Sequence, residues 1–150
     1  MSGEKIPYHR IVVPLDGSDS SFKAAKYAVK LAKLAGAKLI FMHAVANPPY
    51  VEFKSAGIVM TQYIEAAKKY AEGWFAMAGE IASKEGLEFS NSAVLDVASI
   101  PDTIVNFAAD KKADLIVMGT KGRTGLKRVL LGSVASGVVS HATCAVLVVR

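Results

Sequence analysis

Residues 115–133 read LIVMGTKGRTGLKRVLLGS. An apolar run, Leu115-Ile116-Val117-Met118, enters a basic loop that carries Gly119, Gly122 and Gly125 and closes on Gly132-Ser133. Glycines let backbone N–H groups approach an anion, and a helix starting at the end of the loop aims its positive end at that anion. The stretch therefore reads as a strand, a phosphate cradle and a helix start. Charge marks the same place. From Leu115 to Arg150 there is no Asp or Glu, whereas Lys121, Arg123, Lys127, Arg128 and Arg150 are all basic. In the first 114 residues the remaining 13 Lys+Arg balance all 13 Asp+Glu, so the formal net charge of +5 belongs to the last 36 residues. That asymmetry points to an anionic partner.

RIVVPL (Arg10 to Leu15) reads as a short buried strand. Asp16-Gly17-Ser18 is a tight turn, and Ser18 or Ser20 can cap the helix after it. That helix is expected to run to about Ala35, with Phe22, Ala25, Ala28, Val29, Ala32 and Leu34-Ala35 inward and a solvated stripe of Lys23, Lys26, Lys30 and Lys33 outward. Gly36 suits a left-handed stop. KLIFMHAVA (Lys38 to Ala46) is apolar on both faces, as a parallel strand covered on both sides must be. A loop over 47–58, held extended by Pro48-Pro49, leads to a long helix from about Val59 to Glu85. Ile64, Ala67, Ala71, Trp74, Ala78 and Ile81 share its buried face, and Glu65 is placed one turn from Lys69. Gly86 ends it.

LEFSNSAVL (Leu87 to Leu95) alternates like a half-covered edge strand. A third helix has Pro101 near its first turn and Ile104, Val105, Phe107 and Ala108 inward. After the strand 115–118 and the cradle come a helix from Ser133 to about His141 and a last strand, AVLVV, at Ala145 to Val149. Strict alternation of strand and helix predicts one open, parallel five-stranded α/β sheet with right-handed crossovers and helices on both faces.

Composition sets the class. A chain of 150 residues, 52% hydrophobic and 21% charged, fits one soluble globular domain, 1–150. The longest apolar run, Leu39 to Ala46, is interrupted by His43 and falls far short of a membrane span. MSGEKIPYHR holds no secretory h-region. Cys144 stands alone, which leaves no disulfide framework and no cysteine-based zinc site. These features predict a cytoplasmic protein with no membrane partner. Nucleic acid is discounted, because no aromatic residues interleave with the C-terminal cations.

Two familiar phosphate motifs are absent. The P-loop pattern fails, since Thr124 and Lys127 stand five residues after Gly119 and Gly122, and no dinucleotide-binding GxGxxG occurs. The glycines instead run Gly119, two residues, Gly122, nine residues, Gly132-Ser133. DLIVMGTKGRTGLKRVLLGSVASGVVSHATCAVLVVR resembles the C-terminal signature of the universal stress protein family, and IVVPLDGSDSSFKAAKYAVKLA resembles its N-terminal one. The glycine spacing is that of the family's ATP-binding branch. The resemblance covers essentially the whole chain. It implies a Rossmann-like fold with strand order 3-2-1-4-5 and a homodimer paired through the strand 145–149. Ala98 and Ala145 depart from the family, where glycine and proline are common.

That order puts the switch point between the first and fourth strands, where such sheets bind ligands. Asp16 and the cradle then face one crevice. The resemblance assigns Asp16 to the ribose hydroxyls, the backbone of Ala44 to the adenine edge, and Gly119, Gly122, Gly132 and Ser133 to phosphate, with a further N–H from Val134. Ser133 is expected both to cap the fourth helix and to donate its hydroxyl. The full nucleotide-binding set is Pro14, Leu15, Asp16, Ala44, Met118, Gly119, Lys121, Gly122, Arg123, Gly132, Ser133 and Val134. Lys121, Arg123, Lys127 and Arg128 stand ready to screen phosphate charge.

Other candidates read as structural: His43 a satisfied residue at the crevice rim, His141 a partner for helix-end carbonyls, Cys144 a small buried hydrophobe, and Tyr50 and Phe53 ordinary packing. Asp114 falls at the wrong end of the sheet to hold a metal. One carboxylate and a cradle bind ATP, AMP or ADP, with Mg²⁺ as ATP's companion, but supply no group to activate water. The expected function is a nucleotide-dependent sensor or regulator in stress response, with no catalytic or metal-ligating residue assigned. A weak ATP hydrolase and a non-catalytic dimeric interaction module are the alternatives.

Overall fold

A computed structural model describes residues 6–46, 57–121 and 131–150. Its elements are β1 (Arg10–Pro14), α1 (Asp19–Ala35), β2 (Lys38–Ala46), α2 (Gly57–Lys84), β3 (Phe89–Val97), α3 (Ile100–Asp110), β4 (Leu115–Gly119), α4 (Ser133–His141) and β5 (Ala145–Val149). The strands form one sheet in the order β3-β2-β1-β4-β5, and every pairing is parallel. This is the expected order.

Period-two alternation sorts the strand side chains into two cores. Ile11, Val13, Leu39, Phe41, Leu115 and Val117 face α1 and α2. Val12, Ile40, Met42, Ile116 and Met118 face α3 and α4. Both sets are buried, which explains why these strands read as unbroken apolar runs.

Helix ends follow local chemistry. The Ser18 hydroxyl accepts from the Ser21 N–H at 3.1 Å and caps α1, and Gly36 stops it at φ +69°. Ser99 caps α3 by accepting from the Asp102 N–H, with Pro101 in the first turn. The His141 ring donates from Nδ1 to the Gly137 carbonyl at 2.9 Å near the end of α4.

Three expectations need correction. Leu34 is 72% exposed. The buried face of α1 is Ser21, Ala24, Ala25, Ala28, Val29 and Ala32, and two residues beyond Ala32 the helix has turned by about 200°. Strand β3 spans Phe89–Val97, two residues later than the pattern suggested. Gly86 adopts φ +70° and the Leu87 N–H turns back to the Ala82 carbonyl at 3.2 Å, so Leu87 belongs to the end of α2. Glu65 and Lys69 form no ion pair; the pairs among the described residues are Lys33–Glu85, Lys38–Glu88 and Lys84–Glu80.

Candidate functional site

At the C-terminal end of the sheet, β1 sends its connection to one face and β4 to the other. The strands part there into a crevice of about 610 Å³. On the β1 side the chain turns through Asp16-Gly17-Ser18. Asp16 Oδ1 accepts from the Ser18 N–H at 2.9 Å and from the Ser18 hydroxyl at 2.5 Å. Among the described residues nothing donates to Oδ2. Gly17 sits at φ +82°, and a Cβ there would fall 2.6 Å from the Trp74 Nε1. Both its backbone and its neighbour therefore require glycine. His43 Nδ1 lies 2.7 Å from the Leu15 carbonyl, an acceptor, so that nitrogen carries the proton. Its ring meets Trp74 edge to face, with centroids 4.9 Å apart at 84°. Tyr70 stacks outside Trp74.

On the β4 side, a Cβ at Gly119 would lie 2.8 Å from the Ser20 carbonyl carbon, so this glycine lets the first turn of α1 press against the strand end. Gly132 donates its N–H to the Thr120 carbonyl at 2.6 Å, and a Cβ there would lie 2.9 Å from that oxygen. Gly132 is the N-cap of α4, and no side chain caps the helix. Here the sequence expectation is corrected: Ser133 is the first helical residue, and a side chain at that position cannot fold back over the N–H groups as an N-cap's does. The first intrahelical bond runs from the Ser136 N–H to the Gly132 carbonyl at 2.9 Å. The N–H groups of Ser133, Val134 and Ala135 are thus left without helical partners beside the crevice, at the positive end of the helix dipole.

The universal stress protein family model matches residues 7–150. A universal stress protein of Methanocaldococcus jannaschii is 40% identical over 149 residues, covering 99% of this chain and 85% of its own. This chain belongs to the universal stress protein family. Two solved structures are also similar. A universal stress protein from Archaeoglobus fulgidus in complex with dAMP superimposes with a TM-score of 0.69 at 27% identity, covering 97% of this chain and 100% of its own. A universal stress protein in complex with cAMP gives a TM-score of 0.66 at 30% identity, with 95% and 97% covered.

In this universal stress protein chain the crevice gathers Pro14, Leu15, Asp16, Ala44, Met118, Gly119, Lys121, Gly132, Ser133 and Val134. Gly122 and Arg123 lie outside the described residues, as do Lys127, Arg128, Tyr50, Phe53 and the Pro48-Pro49 segment. Sequence reasoning did not assign the wall that α2 contributes, Tyr63, Ala66, Ala67, Tyr70 and Trp74. Their signal was present as an i, i+4, i+7, i+11 stripe through Tyr63, Ala67, Tyr70 and Trp74, which has the spacing of a core face. The Tyr63 hydroxyl donates to the Ala46 carbonyl at 3.1 Å and ties this wall to the end of β2. Ala44, Val45, Ile100, Ile104 and Met118 make the adjoining part of the crevice apolar.

Asp114 lies at the other end of the sheet. Its carboxylate accepts from the N–H groups of His9, at 2.8 Å, and Arg10, at 3.1 Å. Nearby Cys144 is half-buried. Burial first, and then the charge of Asp114, push its thiol up. Among the described residues no three His, Cys, Asp or Glu side chains gather as a metal site would need. No helix among them is long and apolar enough to cross a membrane.

Proposed function

We propose that this universal stress protein binds an adenine nucleotide, ATP or its di- or monophosphate, in the β1/β4 crevice and acts as a nucleotide-dependent sensor or regulator in stress response. The observation that carries the reading is the pairing across one crevice of an uncapped helix N-terminus with a carboxylate that keeps one oxygen open. Phosphate oxygens suit the N–H groups of Ser133, Val134 and Ala135, where the helix dipole favours negative charge. Lys121 lines the same side and adds a positive charge. Asp16 Oδ2 can accept from ribose hydroxyls, which are donors that a phosphate is not. The base fits the apolar part beside Ala44 and Met118, where backbone groups of β2 can read its edge. The dAMP and cAMP held by the two similar proteins support the ligand class.

The proposed working form is a cytoplasmic homodimer paired through β5. That strand is an apolar sheet edge whose Leu147 stays partly exposed, and unpaired apolar edges invite another chain. Mg²⁺ would accompany ATP on its phosphates. The chain's part in this reading is to bind and orient the nucleotide.

Ser133→Pro tests the seat. Proline is tolerated at the first helical position, yet it removes one N–H and the hydroxyl together. Calorimetry should show AMP and ATP binding to the wild type and an affinity about tenfold lower in the variant. Equal affinity in the two proteins removes the helix N-terminus from the site. Mass spectrometry of gently purified protein should find co-purified adenine nucleotide.

A further inference from the structure

A carboxylate can read a sugar hydroxyl only if it is held in place, because a hydrogen bond weakens steeply when misaligned. Asp16 sits in a turn next to Gly17, whose φ of +82° belongs to a residue free to adopt either hand. Two contacts from outside the turn bracket it. Before Asp16, the Leu15 carbonyl accepts from His43 Nδ1 on β2 at 2.7 Å. After it, the Trp74 indole on α2 lies so close over Gly17 that no Cβ would fit. The two rings also brace each other edge to face at 4.9 Å. Strand, helix and turn thus form a closed triangle around the backbone that carries Asp16. Ser18 holds Oδ1 within the turn, so the direction of Oδ2 follows the orientation of the turn.

We propose that His43 and Trp74 are positioning residues for Asp16, and that through it they set the preference of the site for nucleotides bearing ribose hydroxyls. The inference rests on the nucleotide reading given above. Neither residue needs to touch the nucleotide for this. His43 fixes where the turn leaves β1, and Trp74 prevents Gly17 from turning over. Loosening either one redirects Oδ2, while the uncapped end of α4 stays as it is. Binding through the phosphate then persists, and the contribution of the sugar hydroxyls is lost.

The test compares AMP with 2′,3′-dideoxy-AMP, which lacks both sugar hydroxyls, by calorimetry, with circular dichroism to verify folding. Wild type should bind AMP about tenfold more tightly than the dideoxy ligand. His43→Leu and Trp74→Ala should bring the two affinities to within about twofold of each other, because AMP loses more than the dideoxy ligand does. His43→Asn should restore the preference, because its side-chain amide nitrogen can stand where Nδ1 stands and donate to Leu15. Should His43→Leu and Trp74→Ala fail to fold, Trp74→Phe carries the test. It uncovers part of Gly17 and should lower the ratio about threefold.

An AMP-to-dideoxy ratio that stays at the wild-type value in folded variants overturns the inference while leaving nucleotide binding intact. So does an equal weakening of both ligands, which marks a merely structural role. A wild type that binds both ligands equally removes Asp16 from the sugar and the inference with it. A wild type that binds neither overturns the nucleotide reading itself.

Discussion

Two aspartates stand at opposite ends of the same sheet and do different work. Asp114, just before β4, receives N–H donors from His9 and Arg10, and its own N–H donates to the Arg10 carbonyl at 3.0 Å. Both of its oxygens are bound into the chain, and they fasten the entry of β1 to that of β4. Asp16, just past β1 and lining the crevice, gives one oxygen to its own turn, and among the described residues nothing donates to the other. The glycines at the two ends differ in the same sense. Gly17 is crowded by Trp74, whereas at Gly36, at the opposite end, no described residue beyond its chain neighbours comes within 4 Å of where its Cβ would be. Residue type alone does not tell the two aspartates apart; what differs is how much of each carboxylate's hydrogen-bonding capacity the chain itself uses.

The two glycines should differ most in stability. Gly17→Ala combines a left-handed backbone with a collision against the indole and should destabilise the fold by about 3 kcal/mol. At roughly 2–4 °C per kcal/mol for a chain of this size, a melt should fall by about 6–12 °C. Gly36→Ala carries only the backbone strain and should lose about 1 kcal/mol. Equal losses at the two positions would mean that Trp74 does not confine the turn.

The aspartates should cross over. Asp16→Asn should weaken AMP binding about tenfold and leave the melting temperature nearly unchanged, since the amide oxygen can still accept from Ser18. Asp114→Ala should leave AMP affinity as it is and reduce stability by about 2 kcal/mol in urea titrations. If Asp114→Ala lost affinity instead, the two ends of the sheet would not be independent.

The smallest effect concerns Cys144. Its raised pKa means less thiolate at a given pH, so alkylation at pH 8 should run several-fold slower than for an exposed thiol. Replacing Asp114 removes one of the two causes and should speed the reaction by about twofold. The fold favours the protonated thiol, so its contribution is present below the unfolded pKa and is lost as pH rises through the higher folded value, above the ordinary 9.0.

Much of the fold was legible because buried parallel strands leave an unmistakable pattern. KLIFMHAVA and AVLVV match β2 and β5 residue for residue. The strand order came from the family resemblance, and it implied where β1 and β4 part and so brought Asp16 to the crevice. The misses have particular causes. Leu34 counted as apolar, but its angle around α1 points it to solvent. Ser133 has the right chemistry for a cap and stands one residue too late. Gly119 and Gly132 were read as making room for an anion. Their missing side chains also make room for Ser20 and for the Thr120 carbonyl, a need for space that a sequence does not show. The α2 wall was illegible as a wall because a stripe that roofs a cleft has the same period as one that covers a sheet.

The hydrogen bond from Gly132 to Thr120 has a consequence for engineering. It closes the base of the excursion between β4 and α4, so that the chain leaves and returns through one fixed gate. Whatever lies between the two anchor points does not have to transmit geometry from strand to helix. Since added residues in a connection cost little closure entropy, segments of other lengths and charges can be grafted at this gate. The fold would remain unchanged, and only what the graft presents beside the crevice would change.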